Sequence, residues 1–171
     1  MSKYRRLVLM CFIALSCVGC DQATKALARQ TLVPHTPIVL LNGIVELVYS
    51  ENLGAFLGLG ARLPVSARFV FGVLFSTLLL IFTIVFAFQA SQITMPQLIS
   101  LSFLIGGGIG NLIDRISNAG AVTDFIVLSL GPLHTGIFNV ADVAITFGAL
   151  ASMLLYILQP TTFAKETDEN L

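Results

Sequence analysis

The chain has 171 residues, 56% of them hydrophobic and only 11% charged, with a mean hydropathy of +0.92. So little polar surface cannot cover a soluble globule, and the composition points to an integral membrane protein. Nine basic residues balance nine acidic ones to a formal net charge of zero, and no basic run extends beyond Lys3, Arg5 and Arg6, which excludes a nucleic-acid-binding face.

Four stretches approach the ~20 apolar residues needed to cross a bilayer. The first is predicted over residues 7–28: an apolar run from Leu7 to Cys20 continues amphipathically through Asp21, Lys25 and Ala28. It holds Cys11, Cys17 and Cys20. With no second strand of cysteines to pair with, and His35 and His134 far away in sequence, neither a disulfide framework nor a metal site is expected. Residues 36–60 follow as a segment that is neither a span nor a polar linker. Its β-branched runs, Ile38 to Leu41 and Ile44 to Tyr49, flank Asn42-Gly43, the strongest two-residue hairpin signal. A small extramembrane hairpin or sheet is predicted there, lying on the bilayer surface or over a groove; Gly54, Gly58 and Gly60 raise the hypothesis of a lid, whose movement the sequence leaves open. The second span is predicted over 67–88, and its run from about Phe69 to Phe88 carries no charge at all. The third, over 96–114, begins at Pro96, suited to a first helical turn, and passes through the glycine-rich stretch Gly106 to Gly110. The fourth covers 137–158, interrupted by Asn139 and Asp142, and a polar tail at 160–171 is expected to be disordered. The expected fold is therefore an all-α integral membrane protein of four transmembrane helices with a small extramembrane β-hairpin or sheet, forming a single domain over 1–171.

Four spans put both termini on one side. The compact Lys3/Arg5/Arg6 cluster beside the first span places that side in the cytoplasm, although Lys25, Arg29, Arg62, Arg68 and Arg115 then lie outside and add nothing to the bias. In this topology Asp21 and Lys25 reach the outer end of the first helix, and Asn111, Asp114 and Arg115 the outer end of the third. Asn139 and Asp142 open the fourth, while Asp124 and Asn52-Leu-Gly54 occupy outer connections. Polar residues with scattered structural duties would not need to share one level.

A carboxylate at a membrane boundary loses hydration and must find a partner or change its pKa, and Asp124 and Asp142 both sit at the ends of apolar runs. Two such groups sharing one proton supply the base and the acid that amide hydrolysis needs, and a dyad of this kind is expected to work near neutrality. Each residue also has a plainer reading. Asp142 can serve a helix dipole, Asp124 can be a solvated loop acid, and Asp114 can be a structural ion-pair partner. Asp21 and Lys25 can stabilise a helix end at i,i+4 spacing, the glycines can permit close helix packing, and Asn52-Leu-Gly54 can be an ordinary turn.

Five blocks together carry a family resemblance: Asp21-Gln-Ala-Thr-Lys25, Glu51-Asn-Leu-Gly-Ala-Phe56, Gly107-Gly-Ile-Gly-Asn-Leu-Ile-Asp-Arg115, Val122-Thr-Asp-Phe125 and Phe138-Asn-Val-Ala-Asp142. In this order, over residues 5 to 158, they resemble the motifs of lipoprotein signal peptidase, the type II signal peptidase of bacteria. The second block is one alanine shorter than the family's usual Asn-x-Gly-Ala-Ala-Phe, and the loop from Arg115 to Asp124 is one residue longer than in familiar members. The resemblance implies a four-helix intramembrane aspartic endopeptidase of the bacterial inner membrane that cuts prolipoproteins before a diacylglyceryl-modified cysteine. By motif, Asp124 and Asp142 would be the catalytic pair, with Asp21, Lys25, Asn52, Gly54, Asn111, Arg115 and Asn139 shaping the site and holding substrate. Asn139 would orient the Asp142 carboxylate and Arg115 would hold substrate carbonyls. The site would face the periplasm, as would the β segment. No cofactor is implied. The expected partners are diacylglyceryl-prolipoprotein substrates and membrane lipid, with the enzyme acting as a monomer.

Three other readings compete. The basic N-terminus, apolar run and Cys17-Val-Gly-Cys20 also resemble a lipoprotein's own signal peptide, though three more spans follow. A small transporter would carry intramembrane acids, but nearer the span centres. A Ser/Lys peptidase could pair Lys25 with Ser16 or Ser50, yet Asp21 lies closer to Lys25.

Overall fold

A computed structural model describes residues 2–34, 36–54, 64–89 and 93–158. His35, Phe56, Gly58, Gly60, Arg62 and the tail at 160–171 lie outside the described residues, so the lid expectation is only partly within view.

The first helix, α1, spans Lys3–Thr31. Ser2 caps it by accepting the Arg5 N–H at 3.4 Å. At 1.5 Å per residue its 29 residues reach about 43 Å, longer than a ~30 Å hydrocarbon core, which leaves room for polar residues in its final turns. Those turns carry Asp21, Lys25 and Ala28, which with Met10 and Ala14 form its buried face. The next helices are α2, Val65–Gln89, and α3, Met95–Ser117. Thr94 and Gln97 close a reciprocal capping box at the start of α3, with Pro96 in its first turn. The last helix, α4, covers Val140–Ile157 and is capped by Asn139. All four are long and apolar enough to cross a membrane. Against the predicted 7–28, α1 extends by a turn at its start and three residues at its end, and α4 begins three residues later than 137 because Asn139 is a cap rather than a helical residue.

In α3 the helices meet. It is the most buried of the four and packs against α1, α2 and α4. Its glycines permit this. A Cβ at Gly106 would come within 2.7 Å of Cys17 Cβ on α1, and one at Gly107 would collide with the Ala141 carbonyl of α4. Close approach replaces the hydrophobic driving force that lipid removes. An apolar cluster of Met10, Ala14, Leu80, Ala87, Leu98, Leu101 and Ile105 fills the contact between α1, α2 and α3. Outward, large side chains such as Phe82 and Leu150 stay 68% and 62% exposed, as lipid-facing residues do.

Beyond the helices stands an antiparallel sheet of four strands, β1 Ile38–Leu40, β2 Val45–Asn52, β3 Val122–Leu130 and β4 Leu133–His134, in that spatial order. The predicted two-residue Asn42-Gly43 hairpin needs correction. Leu40 pairs with Val45, so the connection is four residues, with Leu41, Asn42 and Gly43 all at positive φ. The predicted loop around Asp124 is also corrected: it is the nine-residue strand β3, whose partner β2 is distant in sequence. The β2–β3 register sets Ser50 opposite Asp124 and Asn52 opposite Val122, after an irregularity between Leu47 and Ser50. Phe125 packs on Ala28 and Leu32 at the end of α1, and the Phe125 and Ile126 N–H groups both donate to the Phe138 carbonyl. The sheet is thereby tied to both α1 and the entry to α4.

Candidate active site

Two groups of acids meet where the ends of α1 and α3 approach the start of α4, and they differ in kind. The first is a closed ionic cluster. Lys25, with its side chain wholly buried, directs its ammonium to Asp21 Oδ2 at 2.8 Å, Asn111 Oδ1 at 2.9 Å and Asp114 Oδ2 at 3.2 Å. An ammonium has three donors, and each is used. Asp114 is equally saturated: Oδ1 accepts from Arg29 Nη2 and Gln22 Nε2, and Oδ2 from Lys25 and the Thr123 N–H at 2.9 Å. Asp21 Oδ1 accepts the Ala141 N–H at 2.9 Å, capping α4 from α1. Two carboxylates thus face two cations, and each of their oxygens accepts at least one hydrogen bond. This is the arrangement that makes buried charge tolerable.

The second group is Asp124 and Asp142, and its polar partners are amides. Asn52 Nδ2 donates to Asp124 Oδ2 at 3.0 Å, and Asn139 Nδ2 donates to Asp124 Oδ1. Asn111 Nδ2 donates to Asp142 Oδ1 at 2.8 Å, and the Asn139 N–H to Asp142 Oδ2 at 3.2 Å. Among the described residues no cation forms an ion pair with either carboxylate. Asn139 serves both: its Oδ1 accepts the Asp142 N–H at 2.9 Å in the capping box of α4 while its amide nitrogen reaches Asp124. Asn111 links the two groups, since its Oδ1 takes Lys25 while its Nδ2 holds Asp142.

Burial separates the two acids. Asp124 is 2% exposed, whereas Asp142 is half-buried. Loss of hydration, followed by the neighbouring Asp142 charge, pushes the Asp124 carboxyl up to about 6, against the opposing pull of the Asn52 and Asn139 hydrogen bonds and the Lys25 charge. A carboxyl in that range can hold or release a proton at physiological pH.

Of the other residues named from sequence, Gly54 donates its N–H to Asn52 Oδ1 at 3.1 Å, closing a turn that aims the Asn52 amide at Asp124. Arg115 lies buried in the last turn of α3. Its Nη1 donates to the Asn111 carbonyl at 3.3 Å, and it is within Coulombic reach of Asp142 and Asp124. Its Nε lacks a hydrogen-bond partner among the described residues. Gln22, Arg29 and Thr123 were not singled out by sequence reasoning as parts of the site, and all three belong to the ionic cluster or its link to β3. Their signal was weak. Gln22 and Thr123 lie inside motif blocks beside better-known acids, and Arg29 reads as a routine basic residue at a helix C-terminus. Ser16 donates to the Phe12 carbonyl of its own helix, nine positions and about 13 Å from Lys25 along the axis. The ammonium of Lys25 is fully engaged, so a Ser16–Lys25 pair has no geometry to support it.

Comparison with known proteins agrees with this architecture. A family model described as signal peptidase (SPase) II matches residues 13–158. A protein named lipoprotein signal peptidase from Desulforapulum autotrophicum is 39% identical over 146 residues, covering 84% of this chain and 88% of its own. Another of that name, from Maridesulfovibrio salexigens, is 34% identical over 156 residues, covering 91% and 97%. A solved structure described as a bacterial membrane enzyme superposes with a TM-score of 0.78 at 26% identity, over 94% of this chain and 93% of that one. A second structure so described gives 0.77 at 25% identity, over 90% and 94%.

Proposed function

The chain belongs to the signal peptidase II family, and from that premise we propose that it is an intramembrane aspartic endopeptidase cleaving diacylglyceryl-modified prolipoproteins before the lipidated cysteine, with Asp124 and Asp142 as its catalytic dyad. It is a lipoprotein signal peptidase and a multi-pass protein of the bacterial inner membrane. The finer assignment rests on one contrast. Asp21 and Asp114 are neutralised by Lys25 and Arg29, whereas Asp124 and Asp142 face each other's field with amide donors alone. A structural role calls for the first condition, and proton chemistry calls for the second.

The roles within the dyad follow from burial. Asp124, raised to about 6 by desolvation, holds the shared proton. Asp142, half-buried and already accepting two N–H groups, meets the incoming water. Asp142 takes a proton from water as the oxygen attacks the scissile carbonyl, and Asp124 gives its proton to the carbonyl oxygen. Collapse of the resulting diol returns a proton to Asp124 while Asp142 protonates the departing nitrogen. The proton belongs to the pair throughout, and its two titrations are properties of the dyad. Asn52, Asn111 and Asn139 fix the four carboxylate oxygens, Gly54 shapes the turn that presents Asn52, and Arg115 supplies donors to substrate carbonyls. Asp21 and Lys25 hold α1, α3 and α4 in register beneath them.

The remainder of the proposal concerns placement. Both termini lie in the cytoplasm, following the Lys3/Arg5/Arg6 cluster, and the dyad and sheet lie at the periplasmic interface, with the whole chain acting as one peptidase domain and as a monomer. The test is mass spectrometry of the products from a diacylglyceryl-modified prolipoprotein. One cut, leaving the lipidated cysteine as the new N-terminus, is expected. A cut elsewhere, or cutting of unlipidated precursor at the same rate, would refute the proposed specificity.

A further inference from the structure

Thr123, the residue before Asp124, uses every polar group it has. Its N–H donates to Asp114 Oδ2 on α3 at 2.9 Å, and its carbonyl accepts Asn139 Nδ2 at the cap of α4 at 3.2 Å. Its hydroxyl accepts from Arg29 on α1, from Nε at 3.0 Å and Nη2 at 2.8 Å. Thr123 is 1% exposed, so its backbone bonds to Asp114 and Asn139 are shielded from water, while the Arg29 side chain is 35% exposed and reaches the hydroxyl from the rim. The strand that carries Asp124 is therefore pinned, one residue upstream, to three helices at once.

Arg29 is the part of this attachment that an ordinary helix end would not need. Its guanidinium Nη2 also donates to Asp114 Oδ1 at 3.1 Å, so one planar fork bridges the Thr123 hydroxyl and the carboxylate that binds the Thr123 N–H. Geometry of this kind belongs to arginine; a lysine ammonium has no such fixed plane. Tyr49 of β2 lies in the same field, with its hydroxyl on Glu51 at 3.0 Å. Arg29 touches neither Asp124 nor Asp142 in the structure.

We propose that Arg29 and Thr123 form a positioning lock: the guanidinium–hydroxyl contact fixes the start of β3 and thereby the placement of Asp124 relative to Asp142. The inference rests on the dyad reading above. Arg29 and Thr123 are positioning residues, and their loss acts on turnover, because a small misplacement of a reacting group leaves binding intact while lowering the rate by one to two powers of ten.

The test measures kcat, KM and the pH profile of kcat for Arg29→Gln, Arg29→Lys, Thr123→Val, Thr123→Ser and the Arg29→Gln/Thr123→Val double variant, with thermal unfolding in parallel and Asp124→Asn as control. Arg29→Gln and Thr123→Val are each expected to lower kcat about tenfold or more with KM within about twofold, and to displace the pH limb that reports Asp124. Thr123→Ser, which keeps the hydroxyl, is expected to recover most of the rate, and Arg29→Lys only a small part. The double variant should be no slower than the worse single one, since both remove the same contact. Additive losses, an unmoved pH limb, or Thr123→Ser as slow as Thr123→Val would overturn the lock. Should Arg29→Gln and Thr123→Val keep full turnover while Asp124→Asn is inactive, the lock alone fails; an active Asp124→Asn removes the dyad reading itself.

Discussion

Asp21 Oδ1 on α1 accepts the backbone N–H of Ala141 at 2.9 Å, one residue before Asp142 in the first turn of α4. A helix start leaves several N–H groups unpaired, and here a side chain 120 positions earlier satisfies one of them. The same carboxylate pairs with Lys25 at 2.8 Å. Asp21→Ala therefore breaks a cap and leaves a buried ammonium short of one partner, at a cost of roughly 3–5 kcal/mol. A large fall in unfolding temperature with loss of cleavage is expected, and Asp21→Asn, which retains an oxygen for Ala141, should fall less. Thermal unfolding in detergent checks the order.

The raised carboxyl of Asp124 makes stability depend on pH. Its folded value of about 6 exceeds the ordinary 3.8, so the folded state binds the proton more tightly. That contribution is fully present below about 4 and is lost as pH rises through about 6, an effect of roughly 2–3 kcal/mol. Asp124→Asn cannot ionise. Its unfolding temperature should gain on the parent's between pH 4 and pH 8, and a constant difference would contradict the shift.

Activity carries the same signature in reverse. With Asp124 as proton holder, kcat/KM should decline as pH rises through about 6 in the free enzyme. Lipid-bearing substrate excludes more water, so the limb in kcat should lie higher, towards neutrality. Asn52 donates to Asp124 and lowers its pKa. Asn52→Ala should therefore move the kcat/KM limb upward, while slowing turnover. A downward move would reverse the assignment of Asn52.

Gly110 lies against the ionic cluster, and a Cβ there would come within 2.5 Å of Asp21 Oδ2. Gly110→Ala is expected to destabilise by about 1–3 kcal/mol through overpacking and to cost activity by displacing Asp21 from Ala141. Unchanged unfolding and cleavage would show that the helices can separate without harm.

The four helices were legible because a hydropathic run of ~20 residues needs no partner to be recognised, and the clustering of Asp21, Asn111, Asn139 and Asp142 followed from helix direction alone. Strand β3 was not legible. Val122-Thr-Asp-Phe-Ile-Val-Leu-Ser-Leu130 has strand-like residues, but its partner β2 lies some seventy positions earlier, and nothing local announces such a pairing. The turn after Leu40 was misjudged for a related reason: Asn42-Gly43 favours a two-residue loop, while the register fixed by Leu40 and Val45 includes Leu41 and Ile44 in the connection. Asp114 is legible in the sequence as a structural ion-pair partner, but the cation it takes is not. Its partners are Lys25 and Arg29, because the side chain points towards α1, a direction set by tertiary packing. Arg29 and Thr123 matter only through that packing, so neither residue type nor spacing could have flagged them.

The division between a neutralised acid pair and an unpaired one is the central claim, and the most direct measurement is cleavage of a diacylglyceryl-modified prolipoprotein by the purified chain, without added metal and with chelator, beside Asp124→Asn and Asp142→Asn. Cleavage by the parent that is indifferent to chelator and lost in each folded variant is the predicted result. Undiminished cleavage in either folded variant would contradict the dyad, and inactivity of a folded parent would contradict the peptidase reading altogether.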